Sequence, residues 1–193
     1  MRLGRLKGII RKMKNKTIKS VLFVCSLLIL IQCGQANANQ IFENQTDSTR
    51  EVSKNDAQKF TAKVIRIVDG DTLEVLFHDL PVMIRLAHID CPEKRGSQPY
   101  GNAAKKALSD LCFGQEIQFE FNEKDRNGRY VCVIYNSEGV NLNKEMVRLG
   151  MAWHFKRYSN DDSYAELEKE ARKNKVGLWQ ELNPVAPWDW RKK

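Results

Sequence analysis

Four of the six carboxylates and one of the two arginines between residues 64 and 93 are candidates for chemistry. They are Asp69, Asp71, Arg85, Asp90 and Glu93. Carboxylate oxygens are the ligands that a hard divalent cation prefers, and a guanidinium offers a planar fork of donors that suits two phosphate oxygens. Together these residue types are typical of a site that holds a cation and a phosphate ester. The alternative is a set of ordinary turn and strand residues, because most Asp-Gly turns have a structural role.

Alternating apolar residues around these side chains predict three antiparallel strands joined by turns. The alternating apolar residues of these strands lie at 62–67, 73–77 and 82–86. Asp71 begins the second strand and Asp90 ends the third, because Pro92 cannot continue a central strand. Antiparallel neighbours place the start of one strand beside the end of the next, so Asp71 and Asp90 can share a cation.

Two arginines and one glutamate are candidates for binding and cleaving the phosphate. Arg85 lies between apolar residues of the third strand, so its side chain points to the opposite face, and the alternative role is an ordinary ion pair. Arg129 follows the hairpin signal Asn127-Gly128 and is either a solvated turn residue or a second phosphate ligand. Glu93 stands at the start of a basic loop and is a candidate general base that orients an attacking water.

The rest of the chain predicts two more strands and three helices. The strands are residues 117–121 and 130–135, and the helices are 100–112, one that starts at 142 and stops at Gly150, and one from 163 to about 175. Five short strands in hairpin order with three helices predict an α+β fold, a five-stranded OB-type Greek-key β-barrel with three α-helices. Closure of the barrel removes the strand edges that short strands otherwise expose.

The first 38 residues predict a secretory signal peptide. They contain eight basic residues, no acidic residue, an apolar run at 21–31 and the small residues Ala36-Asn37-Ala38. The 11-residue run is too short for a permanent membrane span. We therefore expect an exported protein, secreted or periplasmic, with lipoprotein anchoring through Cys33 as the alternative. Polar residues 39–59 predict a flexible linker, 60–180 the folded domain and 181–193 a C-terminal tail.

The formal charge of the chain without residues 1–38 argues against nucleic-acid binding through bulk positive charge. The full chain has a formal charge of +8, but removal of residues 1–38 takes eight of the 32 basic residues and leaves 24 against 24 acidic ones. A near-neutral chain cannot bind an acidic polymer through bulk charge, so local arginines and lysines must do so. Of the remaining cysteines, Cys112 and Cys132 form either a disulfide or two buried free thiols, and no Cys/His spacing suggests zinc.

Several ordered segments resemble the thermonuclease family, the secreted calcium-dependent nucleases similar to staphylococcal nuclease. They are VIRIVDGDT, MIRLAHIDCPE, KDRNGRYVCVIY and MVRLGMAW, and the resemblance covers about residues 60–179. It implies an OB-type barrel and cleavage of DNA and RNA between phosphorus and the 5′-oxygen, leaving 3′-phosphate ends. By position it implies Ca²⁺ ligands at Asp71, Asp90 and the backbone carbonyl of Cys91. It further implies phosphate binding by Arg85 and Arg129 and water activation by Glu93.

The chain departs from the best-known member of that family at two places. Cys91 replaces a threonine, which keeps a backbone ligand but removes a hydroxyl, and Asn127 replaces a nucleotide-contacting tyrosine. Tyr158 is a candidate for stacking on a base, while Trp153 and Phe155 either assist or simply pack beneath the connector. Lys94 and Arg95 are candidates for binding substrate through a basic rim, the alternative being a solvated loop.

These observations predict an exported, calcium-dependent nuclease that acts on DNA and RNA as a monomer, without a stable protein partner or a permanent membrane span. The first alternative is a catalytically silent OB-type module that binds nucleic acid or protein. The second is a phosphodiesterase of small nucleotides. A binding module has no need for a carboxylate pair, a base and two arginines together, so the complete set favours the enzyme.

Overall fold

The computed structural model describes residues 59–192. The predicted signal peptide, with the alternative lipoprotein site at Cys33, lies outside the described residues, as does the predicted linker up to residue 58. Lys59, the last residue of that predicted linker, begins the first strand. Between residues 59 and 192, no helix combines the length and the apolar character that crossing a membrane requires.

Five strands of this region close into a barrel. The strands of residues 59–192, in chain order, are β1 (Lys59–Asp69), β2 (Thr72–Phe77), β3 (Leu80–Leu86), β4 (Ile89–Asp90), β5 (Glu116–Lys124), β6 (Tyr130–Tyr135) and β7 (Trp153–His154). The barrel order is β1-β2-β3-β6-β5, with β3 and β6 parallel and the other pairs antiparallel. The predicted α+β fold with a five-stranded OB-type barrel is confirmed.

The barrel interior follows from the alternating pattern of its strands. Val64, Leu73, Val75 and Ile84 are fully buried, and their polar neighbours along each strand are more exposed. Because successive side chains of a strand point to opposite faces, one face of each strand fills the core. The buried apolar surface holds the strand ends in place, and the candidate site lies at those ends.

Residues 59–192 contain four α-helices. They are α1 (Gly101–Cys112), α2 (Leu142–Arg148), α3 (Asp162–Lys173) and the short α4 (Pro187–Trp190), with a 3₁₀ turn at Gly177–Gln180. The side chains of Asn141 and Asp161 accept backbone N–H groups at the starts of α2 and α3, as good N-caps do. Buried Asn143 joins α2 to the barrel, because its amide donates to the carbonyls of Ala87 and Cys132 at 3.0 Å.

A second, two-stranded sheet pairs β4 with β7, which the sequence did not predict. Asp90 is opposite Trp153 in this pairing, and Ile89 is opposite His154. The sheet therefore fixes the backbone of Asp90 against the segment that follows α2.

Folded structure continues beyond residue 180, the predicted end of the domain. A second apolar core contains Trp153, Ala171, Leu178, Trp179 and Ala186. Trp188 of α4 packs against it, with its ring 5.6 Å from that of Trp153. The residues predicted as a tail thus include a helix that lies against the domain.

Candidate active site

One open cleft of about 1120 Å³ collects the candidate catalytic residues. Its lining includes Asp69, Asp71, Arg85, Asp90, Cys91, Glu93 and Arg129. Tyr158 also lines this cleft, whereas Lys94 and Arg95 are exposed on a neighbouring turn and do not. The candidate side chains therefore converge from three strand ends and three connecting segments, and the two basic loop residues lie outside the cleft.

Asp71 lies in the tight connection between β1 and β2, which packs closely against the rest of the domain. A side chain on Gly70 would place its Cβ 2.7 Å from Ala104 Cβ and 2.9 Å from Cys91 Cβ, so only glycine fits. Asp71 Oδ1 accepts the Thr72 hydroxyl at 3.0 Å, and Oδ2 accepts the Cys91 N–H at 2.8 Å. These contacts fix the orientation of the Asp71 carboxylate.

Arg85 bridges the two candidate cation ligands. Its Nη1 lies 2.7 Å from Asp71 Oδ2 and its Nη2 lies 2.8 Å from Asp90 Oδ1. Nη2 also donates to the Ile89 carbonyl at 3.1 Å, which anchors the guanidinium to backbone as well as to side chains. Burial opposes the charged form, but the charges of Asp71 and Asp90 outweigh it and raise the pKa of Arg85. Arg85 lies on β3 with its side chain in the cleft, so a permanent positive charge is present there.

Hydrogen bonds between the Glu93 backbone and Gln98 hold Glu93 in place. Gln98, which is 6% exposed, accepts the Glu93 N–H through its side-chain oxygen at 2.9 Å. The Gln98 N–H in turn donates to the Glu93 carbonyl at 3.2 Å. The Glu93 side chain is 23% exposed and faces the cleft. Its carboxylate is therefore placed where it can meet solvent water.

Arg129 reaches the cleft from the turn between β5 and β6. Its Nε lies 2.7 Å from Asp125 Oδ2, and its Nη1 donates to the Thr72 hydroxyl at 3.3 Å. Partial burial favours neutral Asp125, but the hydrogen bonds from Arg129 prevail and lower the pKa of Asp125. Asp125 therefore orients Arg129 toward Thr72, which also contacts Asp71. The second arginine and the candidate cation ligand are linked through one hydroxyl.

Comparison with known proteins assigns the family. The staphylococcal nuclease homologue family matches residues 83–181. A micrococcal nuclease of Shigella flexneri is 41% identical over 143 residues, 69% of this chain and 81% of that relative. An uncharacterized endonuclease of Escherichia coli O157:H7 is 40% identical over 129 residues, 67% of this chain and 83% of that relative.

This chain belongs to the staphylococcal nuclease family. An uncharacterized endonuclease of Haemophilus influenzae is also similar, with 41% identity over 136 residues, 70% of this chain and 75% of that relative. The predicted resemblance and the predicted enzyme class, a nuclease hydrolase, are confirmed. Arg85, Asp90, Glu93 and Arg129 lie within the matched residues, whereas Asp71 precedes them.

The staphylococcal nuclease family depends on a metal ion, and the donors in the cleft fit a hard divalent cation. Burial raises the pKa of Asp90. Burial, together with the charges of Asp71 and Glu93, also raises the pKa of Asp69. Crowded carboxylates of this kind favour a cation among them. Among residues 59–192, no group of three or more His, Cys, Asp or Glu side chains is placed to hold a metal ion by itself.

Arg191 contacts two of the candidate catalytic residues, although no motif of the sequence indicates it. Its guanidinium contacts Asp90 and Glu93 from the C-terminal segment, with Nη2 2.7 Å from Asp90 Oδ2. Nothing in the local sequence marks Arg191, since it lies in a short basic terminus and reaches the cleft only because α4 packs against the domain. The available signal was the pair of tryptophans beside it, which favours a docked segment over a free tail.

Of the aromatic residues near the cleft, Trp153 and Phe155 pack against other rings and Tyr158 is exposed. Trp153 lies in the second core, with its ring 4.5 Å from Trp179, and Phe155 stacks on Trp188 at 5.2 Å with 4° between the planes. Tyr158 is 64% exposed and its ring lies 5.0 Å from Phe155. Tyr158 is thus the most exposed of these three rings, although the Arg157 guanidinium lies 5.6 Å from its centroid, and Trp153 and Phe155 pack against other aromatic rings.

The three cysteines of the described domain are buried and free. Of the two alternatives for Cys112 and Cys132, the structure has the separate thiols. Burial raises the pKa of Cys112 to about 12 and raises that of Cys132 further above its usual value. The Cys91 thiol is likewise buried with a strongly raised pKa, mainly through burial, so it is an apolar neighbour of the site rather than a nucleophile.

Proposed function

We propose that this protein is an exported, calcium-dependent nuclease that hydrolyses DNA and RNA at the bond between phosphorus and the 5′-oxygen, leaving 3′-phosphate ends. The observation that carries the proposal is the convergence of Asp71, Arg85, Asp90, Glu93 and Arg129 in one cleft. The names of the relatives, micrococcal nuclease and endonuclease, support the same chemistry.

The proposed roles follow from the contacts of each side chain. Asp71, Asp90 and the Cys91 carbonyl would hold the Ca²⁺ ion, which would supply positive charge to the phosphodiester. Arg85 and Arg129 present further positive charge to the phosphate oxygens, where negative charge accumulates in the transition state. Glu93 accepts a proton from the attacking water. Asp125 and Gln98 hold Arg129 and Glu93 in position.

Recognition of phosphate rather than base explains activity on both nucleic acids. The groups named above are carboxylates and guanidinium groups, and the largely exposed ring of Tyr158 can stack on any base. Lys94 and Arg95 remain candidates for contacts with phosphates outside the cleft, since both are exposed beside Glu93 in the sequence. We expect a monomer, in agreement with a site built within one chain.

Export is supported by the sequence pattern of residues 1–38 alone, a basic start followed by an apolar run and small residues. Expression with these residues, followed by N-terminal sequencing of the protein from the medium and from the periplasm, tests it. Cleavage near residue 38 supports export as a free protein. Lipid attached to Cys33 supports the anchored alternative, and an intact N-terminus in the cytosol refutes export.

The nuclease proposal is tested by digesting single-stranded DNA, duplex DNA, RNA and a dinucleotide with calcium, magnesium or chelator. We expect calcium-stimulated cleavage of the polymers and 3′ ends that a polymerase extends only after phosphatase treatment. The double variant Glu93→Gln with Arg85→Ala is the inactive control. Binding without cleavage indicates a silent module, cleavage of the dinucleotide alone indicates a small-molecule phosphodiesterase, and activity unaffected by chelator refutes the calcium requirement.

A further inference from the structure

Two contacts that precede Arg191 in the chain hold the C-terminal segment beside the cleft. Trp188 stacks on Phe155 with ring centroids 5.2 Å apart. The Val185 carbonyl accepts a hydrogen bond from the buried Gln98 side chain at 2.7 Å. Gln98 is the same residue that holds Glu93. The position of Arg191 is therefore determined by packing that also shapes the active site.

Arg191 lies between the candidate cation ligand Asp90 and the candidate base Glu93. Its Nη2 lies 2.7 Å from Asp90 Oδ2, and its Nη1 lies 3.3 Å from Asp90 Oδ1 while also contacting Glu93 Oε1. Burial opposes its charge, but the hydrogen bonds to Asp90 and Glu93 prevail and raise the pKa of Arg191. A positive group thus occupies the side of Asp90 that faces Glu93.

These contacts conflict with a cation on Asp90. Both Asp90 oxygens already accept guanidinium N–H groups, Oδ1 from Arg85 and Arg191 and Oδ2 from Arg191. A divalent cation placed on this carboxylate would lie next to the Arg191 charge, and like charges at such short range repel strongly. Either Arg191 or Arg85 must therefore move away from Asp90 when the cation binds.

The exposure and the hydrogen-bond partners of the two arginines indicate which one moves away from Asp90. The Arg85 side chain is 13% exposed and donates to the Ile89 carbonyl as well as to carboxylates. The Arg191 side chain is 43% exposed, and the hydrogen bonds of its guanidinium go to the Asp90 and Glu93 carboxylates. Arg191 directly follows the short helix α4 and belongs to no strand of either sheet, so its side chain can turn into solvent without breaking a strand pairing.

We propose that Arg191 is a built-in competitor of the catalytic cation, which occupies the Asp90 and Glu93 carboxylates in the metal-free protein and withdraws when the cation binds. Withdrawal frees Glu93 for water activation at the same time, so cation loading and exposure of the base are coupled. Because coupling between two binding events is reciprocal, the docked arginine weakens cation binding by the factor that the cation weakens docking. The inference rests on the cation site of the proposed function.

Calcium titration calorimetry on the purified wild-type protein, Arg191→Gln and Lys192→Gln tests the competition without using activity. Lys192 is the matched control, because it is the next residue, carries the same charge and pairs with Asp189 at 2.8 Å. We expect Arg191→Gln to bind calcium at least about fivefold more tightly than wild type, and Lys192→Gln to stay close to wild type. Equal calcium affinity in wild type and Arg191→Gln overturns the proposal.

Chemical labelling provides a second readout on the unmodified chain. Phenylglyoxal modification of Arg191, measured by peptide mass spectrometry, should accelerate when calcium is added. Arg148, which is 60% exposed and does not line the cleft, should react at a constant rate as an internal reference. Slower labelling of Arg191 in calcium contradicts withdrawal. Tryptophan fluorescence of Arg191→Gln verifies that Trp188 remains docked.

The outcomes separate this inference from the function on which it rests. If wild type and both variants bind calcium equally and cleave DNA, the nuclease proposal stands and the role of Arg191 is wrong. If Arg191→Gln binds calcium like wild type but has a higher KM for DNA, Arg191 is a phosphate ligand, which also overturns the competition. If none of the three proteins binds calcium, the cation site and the competition fail together.

Discussion

Arg85 and Asp90 form an ion pair of 2.8 Å at the base of the cleft, and the Asp90 side chain is only 1% exposed. The pair joins the end of β3 to β4, and the second amino group of Arg85 reaches Asp71 at 2.7 Å. One guanidinium therefore contacts both candidate cation ligands and fixes their relative position. A buried pair of this kind is costly to break on one side, because the remaining charge loses its partner.

The substitution Arg85→Lys tests whether catalysis requires the paired N–H donors of a guanidinium or only a positive charge. A lysine ammonium cannot span Asp71 and Asp90 and also present two donors to phosphate, so kcat on DNA at saturating calcium should fall about 100-fold or more. Thermal unfolding should show a smaller loss of stability in Arg85→Lys than in Arg85→Gln, which removes the positive charge that Asp71 and Asp90 share. A kcat for Arg85→Lys equal to that of wild type would show that charge alone suffices.

Gln98→Met tests whether Gln98 positions the base. The substitution keeps the side-chain volume but removes the hydrogen bonds to Glu93 and Val185, each worth about 1 kcal/mol. We expect a loss of about 2 kcal/mol in the free energy of unfolding and a fall in kcat of about tenfold or more from the displaced Glu93, with little change in KM. The exposed Gln118→Met is the control. A Gln98→Met enzyme with lower stability but unchanged kcat would make Gln98 purely structural.

Two histidines that share one serine make the stability of the fold depend on pH. His88 Nδ1 and His154 Nε2 each lie 2.9 Å from the Ser159 hydroxyl. Burial lowers the pKa of both imidazoles. Their contribution to stability is therefore complete above the unfolded pKa of about 6.5 and is lost as pH falls through the lowered values.

Thermal unfolding between pH 7.5 and 5 measures this dependence. We expect the melting temperature of wild type to fall across the interval and that of His154→Gln to fall less, since an amide does not take up a proton there. The exposed His78→Asn should keep the slope of wild type. If His154→Gln retains the full slope, the imidazole pair is not its source.

Gly70→Ala tests the close packing beneath Asp71. The added methyl group would lie 2.7 Å from Ala104 Cβ, and overpacking of this kind costs about 1–3 kcal/mol. Urea unfolding should show that loss, and calcium affinity should decrease because Asp71 follows directly. In an Ala104→Gly background the same substitution should cost less, and an equal cost in both backgrounds would assign the effect to another contact.

Local sequence determined the barrel and most of the site. Alternation of apolar residues fixes which face of β1, β2 and β3 is buried, and consecutive antiparallel strands bring Asp71, Arg85 and Asp90 together through short connections. Such contacts involve neighbouring elements, so the period of the pattern and the turn residues suffice to predict them. Arg129 was also predictable, because a hairpin signal immediately precedes it.

Tertiary structure alone decided the features that join distant segments. The pairing of Asp90 with Trp153, the shared serine of the two histidines and the contact of Arg191 with Asp90 all depend on how the chain after α2 folds back. A two-residue strand and a four-residue helix carry no periodic signal, and their positions follow from burial of tryptophans that the sequence does not assign to a partner. The sequence by itself therefore predicted which candidate groups share the cleft, whereas packing of the C-terminal segment decided that Arg191 contacts two of them.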